Sequence, residues 1–370
     1  MKILFATPYN CPSGGISRWA EHIVNYHREV SSGIELDILP LNDTKNHVAK
    51  DFVHKTPFER LMRGIRTYLN ASKRLNRELR NRKYDIVHIV SSATWGLLKD
   101  IVMMKIAQRR GVKSVVHFHF GRIPELAKQQ NWEWKMLCYV VRRSDKTIVI
   151  DRLSYETLQQ NGFTNVEYIP NPLSTSVNDI IQSFGTVVRQ PRRLMFAGQC
   201  VAAKGVYELV EACNVIPDIE LRIFGAITSD MKRELESKWN SDSTLSIMDN
   251  QPFETILKEM CQCDVFVLPT YSEGFPNVIL ESMACGCAIV TTPVGAIPEM
   301  LEEEDGKHYG IMVEPRNVNQ LKSAIEKMLS DEEFKAQCRI NVQQRVNERY
   351  NIESVWHKMV EMWHGTISNS

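Results

Sequence analysis

The sequence predicts an α/β protein made of two doubly wound parallel-sheet domains, and three observations support this fold class. Short apolar strands alternate with amphipathic helical stretches, which is typical of βαβ units. The alternation occurs in two separate series within 370 residues, a length that favours two domains of ordinary size. The hydrophobic share of 43% and the charged share of 24% are those of a globular chain.

The first series of strands predicts an N-terminal domain over residues 1–172. Its strands are KILFAT (2–7), ELDILP (35–40), YDIVHIV (84–90), SVVHFHF (114–120) and KTIVI (146–150). Apolar residues at helical spacing fill the intervals between these strands, at 16–30, 60–82, 95–110 and 125–143. Strands that alternate with helices in this way form a parallel sheet with helices on its faces.

The second series predicts a C-terminal domain over residues 190–350. Its strands are RLMFAG (193–198), IELRIFG (219–225), STLSIMD (243–249), CDVFVLP (263–269) and CAIVTT (287–292). Its helical patterns lie at 205–214, 229–238, 253–261, 277–285, 317–330 and 331–349. The junction at 169–193 is rich in Pro, Ser and Asn, and no clear strand continues through it.

A last helix is predicted at 351–365, where Val355, Met359, Met362 and Trp363 share one face. This apolar face either packs on the C-terminal domain or crosses back onto the N-terminal domain. The helical pattern alone leaves both arrangements open.

The net charge of +1 hides an asymmetry between the two halves of the chain. Residues 1–175 contain 27 Lys and Arg against 16 Asp and Glu, and the remainder contains 18 against 28. The densest basic stretch, 60–83, has nine basic residues and one acidic residue, with apolar positions at helical spacing. It is either a surface helix with a solvated basic face or a contact for anionic lipid head groups or a lipid-linked phosphate.

Composition also indicates the compartment. No apolar run approaches the ~20 residues that cross a bilayer, and the N-terminal MKILFATPYN is too short and strand-like for a signal peptide. The nine cysteines show no framework spacing, since Cys261 and Cys263 are too close for a zinc pair and Cys285 and Cys287 repeat that spacing. We therefore expect reduced, buried thiols in a cytoplasmic protein.

Residues that directly follow strands are the first candidates for a site, because ligands of open α/β sheets bind beyond the carboxyl ends of the strands. NCPSGGISRWAE (10–21) follows the first strand, and its Gly14 and Gly15 allow close approach of the backbone to a ligand. Ser13 or Ser17 is a candidate cap for the next helix, whose N-terminal N–H groups attract phosphate. By itself, a Gly-Gly pair is equally compatible with an ordinary strand–helix turn.

Two histidines, His117 and His119, occupy alternate positions at the end of the strand SVVHFHF and therefore point to the same face. This is unusual for a core strand. A zinc site is one alternative, although no cysteine or carboxylate cluster lies nearby in sequence. A hydrogen-bonded structural His is the other.

The stretch AGQCVAAKG (197–205) follows the first strand of the second series. Gly198 lets the backbone approach a ligand, and Lys204 before Gly205 is placed to neutralise a phosphate. The order of residues differs from the GxxxxGK[ST] phosphate-binding loop, because the Lys precedes the Gly. An ordinary surface Lys is the alternative interpretation.

The stretch EGFPNVILE (273–281) follows the strand at 263–269, and its Gly274 and Pro276 predict a turn. Asn277 is a predicted N-cap of the next helix, which would aim the N–H groups of 275–278 at a diphosphate. At ~1.5 Å per helical residue, Glu273 and Glu281 lie roughly 10 Å apart or more, too far for the ~5 Å of a double-displacement pair. A carboxylate beside a phosphate is repelled, so each Glu is expected to accept hydrogen bonds from sugar hydroxyls instead. Two sugars on either side of a diphosphate are the layout of a nucleotide-sugar.

The segment EGFPNVILESMACGCAIVTTPVGAIPEML (273–301) resembles the donor-binding region of the retaining GT-B glycosyltransferases of family 4, whose E-x7-E motif corresponds to Glu273 and Glu281. The resemblance covers nearly the whole chain. Its other segments are the Gly-Gly loop (14–15), YDIVH (84–88), HFH (117–119), IPN (169–171), the KG pair (204–205) and IFG (223–225). Their order and spacing are specific as a set, although no single one is decisive.

The resemblance implies the GT-B architecture, in which two Rossmann-like domains face each other across a cleft. It also implies that the segment 351–370 packs back on the N-terminal domain. The donor-binding residues that it implies are Gly14, Gly15, Gly198, Lys204, Gly225, Phe275, Pro276, Asn277 and Glu281. The catalytic residues that it implies are His119, with His117 as the fallback, and Glu273.

The resemblance assigns each of these residues a part of the donor. Glu281 binds the ribose hydroxyls, Glu273 binds hydroxyls of the donor sugar, and Gly225 lies near the base. Lys204, the N–H groups of 275–278 and the Gly-Gly loop neutralise the diphosphate. No D-x-D occurs in the chain, which fits metal-independent chemistry in which Lys204 and helix dipoles replace a cation, so no cofactor or metal is expected.

One position departs from the family pattern. The family usually has Arg directly after the glycine that ends the strand at 193–198, and this chain has Gln199 there. The loss of a cation beside a diphosphate weakens leaving-group stabilisation by a few kcal/mol unless another group replaces it. Arg18 and Arg122 are the candidate replacements, and a weakly active member is the alternative.

We therefore predict a cytoplasmic, retaining glycosyltransferase of surface polysaccharide synthesis. Its C-terminal domain would bind a nucleotide-sugar, and its basic N-terminal domain a glycan or lipid-linked acceptor, with peripheral membrane contact through 60–83 and no nucleic-acid partner. A GT-B sugar-nucleotide epimerase and a non-catalytic sugar-nucleotide-binding protein are the alternatives. Glu273 and the HFH strand argue against the non-catalytic alternative.

Overall fold

The computed structural model describes residues 1–10, 15–30, 33–42, 57–92, 94–240 and 242–368, with the side chains of 57–65 excluded. The chain divides into two compact units. Unit 1 comprises residues 1–171 together with the segment from Ile352 onward, and unit 2 comprises Pro172–Asn351. Each unit contains one six-stranded sheet in which all strand pairs are parallel.

The sheet of unit 1 has the strand order β2-β1-β3-β4-β5-β6. Its strands are β1 (Lys2–Thr7), β2 (Glu35–Pro40), β3 (Ile86–Ser91), β4 (Lys113–Phe118), β5 (Lys146–Val149) and β6 (Val166–Tyr168). The central strands β1, β3 and β4 are almost wholly buried, because helices cover both faces of the sheet.

The helices of unit 1 form two layers. They are α1 (Gly15–Glu29), α2 (Pro57–Asn81), α3 (Gly96–Arg109), α4 (Ile123–Gln129), α5 (Trp132–Arg143), α6 (Arg152–Gln160) and α15 (Ile352–Ser368). Apolar residues from α2 through α6 pack on one face of the sheet, and those of α1 and α15 pack on the other.

Helix α15 comes last in the chain and supplies part of the core of unit 1. Its Val355, Met359, Met362 and Trp363 are all buried, in one cluster with α1 and the inner strands. These four residues share one face of the helix in the sequence pattern. Of the two packing arrangements that the pattern left open, the structure has the one on unit 1.

The sheet of unit 2 has the strand order β12-β11-β10-β7-β8-β9. Its strands are β7 (Arg193–Ala197), β8 (Glu220–Phe224), β9 (Thr244–Met248), β10 (Val265–Leu268), β11 (Ala288–Thr291) and β12 (Ile311–Met312). Its helices are α7 (Thr175–Ser183), α8 (Val206–Cys213), α9 (Ser229–Lys238), α10 (Phe253–Gln262), α11 (Asn277–Ala284), α12 (Ile297–Leu301), α13 (Val318–Ser330) and α14 (Glu332–Arg349).

The predicted α/β class with two doubly wound parallel sheets is confirmed, and the structure corrects several elements. The single helix predicted at 125–143 is wrong, because Gln130 adopts a left-handed φ of 51° that ends α4, and Asn131 then caps α5. Helix α7 lies in the junction at 169–193, where the sequence predicted no continuing strand and no helix was assigned. The short strands β6 and β12 and helices α6 and α12 were also missed.

Candidate functional site

The loops that follow β7 and β10 in unit 2 meet at the carboxyl edge of the sheet. After β7 the chain forms a 3-10 turn over Ala202–Lys204, which ends at Gly205 with a left-handed φ of 69°. A Cβ atom at Gly205 would lie 2.0 Å from the carbonyl oxygen of Pro269, so only glycine fits this contact. The Tyr271 N–H donates to the Ala203 carbonyl at 2.9 Å, which joins the two loops again.

This junction brings two predicted site residues together. The Lys204 Nζ lies 2.5 Å from the Glu273 Oε1, and the two side chains are 25% and 12% exposed. The partial burial screens the pair from water and strengthens its attraction. The sequence predicted both residues but not their contact.

A third loop, between β11 and α12, packs against the main chain of Glu273 and Gly274. The Ala296 N–H donates to the Gly274 carbonyl at 2.9 Å, and Gly295 has a left-handed φ of 58°. A Cβ atom at Gly295 would lie 2.4 Å from the carbonyl oxygen of Glu273 itself. Gly295 was not among the predicted site residues, although a glycine in a strand-end loop is a sequence signal for a close contact.

Two predicted donor-binding glycines, Gly198 and Gly225, touch each other. Gly225 has a φ of 143°, and a Cβ atom there would lie 1.8 Å from the Gly198 carbonyl oxygen. The Cys200 N–H donates to the Ala226 carbonyl at 2.9 Å, and burial raises the pKa of the Cys200 thiol to about 12. Gln199 lies exposed between Gly198 and Cys200, at the position where the family pattern has Arg.

Helix α11 follows Glu273 and begins differently from the prediction. Asn277 is the first helical residue rather than the N-cap, and Pro276 occupies the cap position without a side-chain hydrogen bond. Pro276 has no N–H, so the predicted run of donors at 275–278 lacks one member. The Phe275 ring is buried against Tyr350, with ring centroids 5.5 Å apart, so its side chain packs within unit 2.

Glu281 lies in the second turn of α11 and is only 4% exposed. A buried carboxylate is rare unless it is hydrogen-bonded or paired. The local structure therefore presents, in order, Glu273, the first turn of α11 and Glu281 along one loop and helix.

In unit 1 the candidate residues lie beside the ends of β1 and β4. Gly15 is the first residue of α1, and Gly14 lies outside the described residues. His119 directly follows β4, and its N–H donates to the Ser91 carbonyl at 2.9 Å. The His119 ring packs 4.2 Å from Trp19 and 4.2 Å from His117, measured between ring centroids.

His117 belongs to a buried chain of hydrogen bonds that starts at helix α15. The Trp363 Nε1–H donates to the His88 Nδ1 at 3.0 Å, and the His88 Nε2 lies 3.2 Å from the His117 Nδ1. An indole N–H can only donate, so a neutral His88 carries its proton on Nε2 and donates it to His117. His117 in turn carries its own proton on Nε2, because its Nδ1 accepts the proton of His88.

All three histidines are held neutral. Burial lowers the pKa of His88 to about 3 and that of His119 to about 3, and it lowers the pKa of His117 well below its usual range. The Nε2 atoms of His117 and His119 are both buried without a hydrogen-bond partner among the described residues. Only His119 is partly exposed, which favours it over His117 as the residue that meets a ligand.

Two further groups near this edge are notable. Arg122, a predicted replacement for the missing cation, donates to the Glu133 Oε1 at 3.1 Å, so its guanidinium is engaged within unit 1. Asp151 follows β5 and caps α6 by accepting from the Ser154 N–H at 2.7 Å. Burial raises the pKa of Asp151 to about 6, and Asp151 was not among the predicted site residues.

Within the described ranges, no group of three or more His, Cys, Asp or Glu side chains is placed to hold a metal ion. The eight cysteines that the structure describes are free and buried, in agreement with the prediction of buried thiols. No helix in the described part of the chain is both long and apolar enough to span a membrane.

Two family models match the chain, one over each unit. Residues 13–177 match the model described as Glycosyltransferase Family 4, and residues 191–331 match the model described as Glycosyl transferases group 1. Together they include the loops that follow β3, β4 and β5 in unit 1 and those that follow β7, β8, β10 and β11 in unit 2.

Among curated proteins, the chain is 25% identical over 338 residues to an uncharacterized glycosyltransferase of Methanocaldococcus jannaschii, covering 90% of each chain. It is 26% identical over 187 residues to the capsular polysaccharide biosynthesis glycosyltransferase CapM of Staphylococcus aureus, covering 47% of this chain and 46% of that protein. Among solved structures, HepE of Anabaena in complex with UDP and glucose superposes with a TM-score of 0.72 at 18% identity, covering 99% of this chain and 100% of that one.

The contact between Gly295 and Glu273 predicts the outcome of adding one methyl group. Gly295→Ala should lower the free energy of unfolding of unit 2 by about 1–3 kcal/mol more than Gly306→Ala, because only the first places a Cβ against backbone atoms. Gly306 is the matched control, since its φ of 70° is equally left-handed and no atom lies within 4 Å of the added Cβ. Urea unfolding of both variants measures the difference, and equal losses would show that the packing against Glu273 is unimportant.

The neutral His88 predicts a pH-dependent stability. In the unfolded chain its pKa is 6.5, so the unfolded state binds more protons as the pH falls, and stability is lost below pH 6.5. Between pH 7.5 and 5.0 this group should cost about 2 kcal/mol, a loss that is absent in His88→Gln. Tryptophan fluorescence during urea unfolding reports it, since six of the seven tryptophans lie in unit 1. Parallel pH profiles for the wild type and the variant would contradict the assignment.

Proposed function

The chain belongs to the group 1 glycosyltransferases of the GT-B fold, and from this premise we propose that it moves a sugar from a nucleotide-sugar donor to a glycan or lipid-linked acceptor with retention of anomeric configuration. The observation that carries the proposal is the ion pair of Lys204 and Glu273 beside the first turn of α11. It combines a cation, a hydroxyl acceptor and a helix N-terminus at the carboxyl edge of one sheet.

Lys204 supplies the charge that a departing diphosphate needs. Its ammonium has three N–H bonds, and the Glu273 contact uses one of them, so two remain for phosphate oxygens. The N–H groups in the first turn of α11 add partial positive charge next to it. Such preorganised groups stabilise the negative charge that develops as the leaving group departs.

The two carboxylates bind hydroxyls on either side of the diphosphate. Lys204 contacts only one oxygen of Glu273, so the other oxygen keeps its lone pairs for hydroxyls of the donor sugar. Glu281 is proposed to bind the ribose hydroxyls from the second turn of α11. The side-chain-free contact of Gly198 with Gly225 leaves the strand ends flat, which suits the approach of a planar base.

Unit 1 is proposed to contribute His119 and the Gly14–Gly15 loop. The imidazole of His119 is neutral, so it can exchange one hydrogen bond with a sugar hydroxyl without bringing a positive charge to the sugar. The chain of Trp363, His88 and His117 fixes the protonation of the ring on which His119 stacks.

In the proposed reaction the bond between the anomeric carbon and the diphosphate oxygen breaks, and a bond from that carbon to an acceptor oxygen forms. The proton of the acceptor hydroxyl leaves with the nucleoside diphosphate. Glu273 is not proposed as a covalent nucleophile, because it is bound to Lys204. We propose that the reaction needs no metal, since Lys204 and α11 already supply positive charge at the leaving group.

The acceptor is proposed to be a growing surface glycan on a lipid carrier. A similar protein is named for capsular polysaccharide biosynthesis, and the segment 60–83 of this chain has nine basic residues and one acidic residue. A basic helix is attracted to anionic head groups and to lipid-linked phosphate. We therefore propose that the enzyme acts from the cytoplasm at a membrane surface.

The donor pair predicts the effect of two substitutions. Lys204→Met should reduce transfer from the true donor about 100-fold or more, and Glu273→Gln about tenfold to 100-fold, because each removes a group that meets the developing charge or the sugar. The controls are Lys258→Met and Glu254→Gln, which alter exposed residues of α10. A thermal-shift panel of UDP-, GDP- and ADP-sugars identifies the donor first, since saturation at 100 times the Kd adds about 2.7 kcal/mol.

Transfer is then measured by nucleoside diphosphate release and product analysis, with and without EDTA. The α-linked product from an α-linked donor, formed equally in EDTA, is the expected result. Full activity of both site variants would contradict the proposal. Epimerised nucleotide-sugar without any acceptor would indicate an epimerase, and donor binding without release under every acceptor would indicate a non-catalytic protein.

The exposed Gln199 predicts a gain of function. Gln199→Arg should raise kcat/KM about tenfold or more, because a guanidinium there adds a charge-assisted hydrogen bond to the diphosphate. Gln199→Met, of similar length and without charge, should leave the rate unchanged or lower. An unchanged rate in the Arg variant would mean that another cation already serves this position.

A further inference from the structure

The outer surface of helices α3 and α5 in unit 1 carries large apolar side chains that the described chain leaves uncovered. On α3 these are Trp95, Leu98 and Val102, which are 55%, 47% and 43% exposed. On α5 they are Trp132 and Tyr139, which are 48% and 38% exposed. Ten large hydrophobic side chains are exposed among the described residues, and half of them lie here, so the clustering is not an even scatter over the surface.

The two helices form one continuous surface, which we term the α3–α5 face. Both run antiparallel to the strands they connect, so they lie side by side in the same direction. The spacings 95, 98, 102 and 132, 135, 139 each follow one stripe of a helix. The Trp95 and Trp132 rings meet across the two helices, with centroids 5.2 Å apart and planes inclined by 33°.

Exposed cations continue the same surface. Lys105 and Arg109 follow the apolar stripe on α3, and Lys135 and Arg143 flank Tyr139 on α5. The Arg143 guanidinium lies over the Tyr139 ring, 5.8 Å from its centroid.

The carboxylates of these two helices face inward. Asp100 is buried with Lys99 at 2.9 Å, and Glu133 is buried and accepts from the Thr94 hydroxyl at 2.8 Å. Helices α3 and α5 therefore expose cations and aromatic rings but no carboxylate.

This composition identifies the occupant. Trp and Tyr rings prefer the head-group region of a bilayer, and Lys and Arg are attracted to its anionic lipids. A second copy of this face would place like charges against each other, which disfavours self-association through it. We propose that the α3–α5 face docks on the surface of an anionic phospholipid bilayer, with Trp95 and Trp132 among the head groups.

The docking rests on the proposed function and deepens it, because it adds a second membrane contact, after that of the segment 60–83, to the unit proposed to bind the acceptor. Trp95 and Trp132 lie at the starts of their helices, which is the carboxyl edge of the sheet, where His119 also lies. A protein held by this edge is close to any acceptor whose carrier is anchored in the same bilayer. Vesicle binding needs neither donor nor acceptor, so its test stands apart from the transfer assay.

The experiment is co-sedimentation of the full chain with vesicles of phosphatidylglycerol and phosphatidylcholine, compared with phosphatidylcholine alone. We expect binding to the anionic vesicles only, with a blue shift of tryptophan fluorescence. Trp95→Ala/Trp132→Ala should weaken the binding about tenfold or more. Lys105→Gln/Lys135→Gln should weaken it roughly 30-fold at low salt.

Matched controls lie elsewhere on the protein. Leu153→Ala/Ile340→Ala removes two side chains that are 56% and 65% exposed, and Lys258→Gln/Lys307→Gln removes two exposed cations of unit 2. Both should bind as the wild type does. The proposal is overturned if the wild type ignores anionic vesicles, binds neutral vesicles equally, or binds unchanged after the Trp substitutions. It is also overturned if those substitutions abolish a concentration-dependent dimer in a protein that does not bind vesicles.

Discussion

Backbone contacts that leave no room for a Cβ atom hold together the loops at the carboxyl edge of the unit 2 sheet. Gly205 meets Pro269, Gly225 meets Gly198, and Gly295 meets the main chain of Glu273. Each contact joins loops from different strands, so the loops after β7, β8, β10 and β11 form one packed layer. The Lys204–Glu273 ion pair depends on this layer, because the two residues are 69 positions apart and belong to different loops. The arrangement of Lys204 and Glu273 therefore depends on glycines at which no Cβ atom fits.

Much of the fold follows from local pattern. The ten longer strands and most helices were predictable because apolar runs and helical periodicity determine them residue by residue. Strands β6 and β12 have three and two residues, too few to show a period. The break between α4 and α5 depends on one residue, Gln130, in a conformation that no glycine or proline marks. The predicted start of α11 was wrong. Asn277 belongs to a residue type that is common at N-caps, but Pro276 occupies the N-cap position in the structure.

For the site too, local pattern predicted the residues but not the contacts that they make. Lys204, Glu273, Glu281 and His119 were selected because polar residues after strands are visible in the sequence. The contact between Lys204 and Glu273 was not predictable, because it joins two loops that are distant in the chain. The hydrogen bond from Trp363 to His88 joins residues 275 positions apart, and no local pattern near either one indicates it. The neutral state of the three histidines likewise follows from burial by α1 and α15 rather than from neighbours in sequence.

The position of helix α15 in the chain also determines when the core of unit 1 can be completed during synthesis. The first 171 residues of unit 1 leave the ribosome before the 180 residues from 172 to 351, but the helix that covers one face of their sheet leaves after them. Until then Trp356, Met359 and Trp363 are absent from the core, and His88 lacks the indole that sets its tautomer. The nascent unit 1 therefore exposes the apolar face on which α15 later packs. Unit 2 is contiguous and can fold during that interval, so its core can form before that of unit 1 is complete.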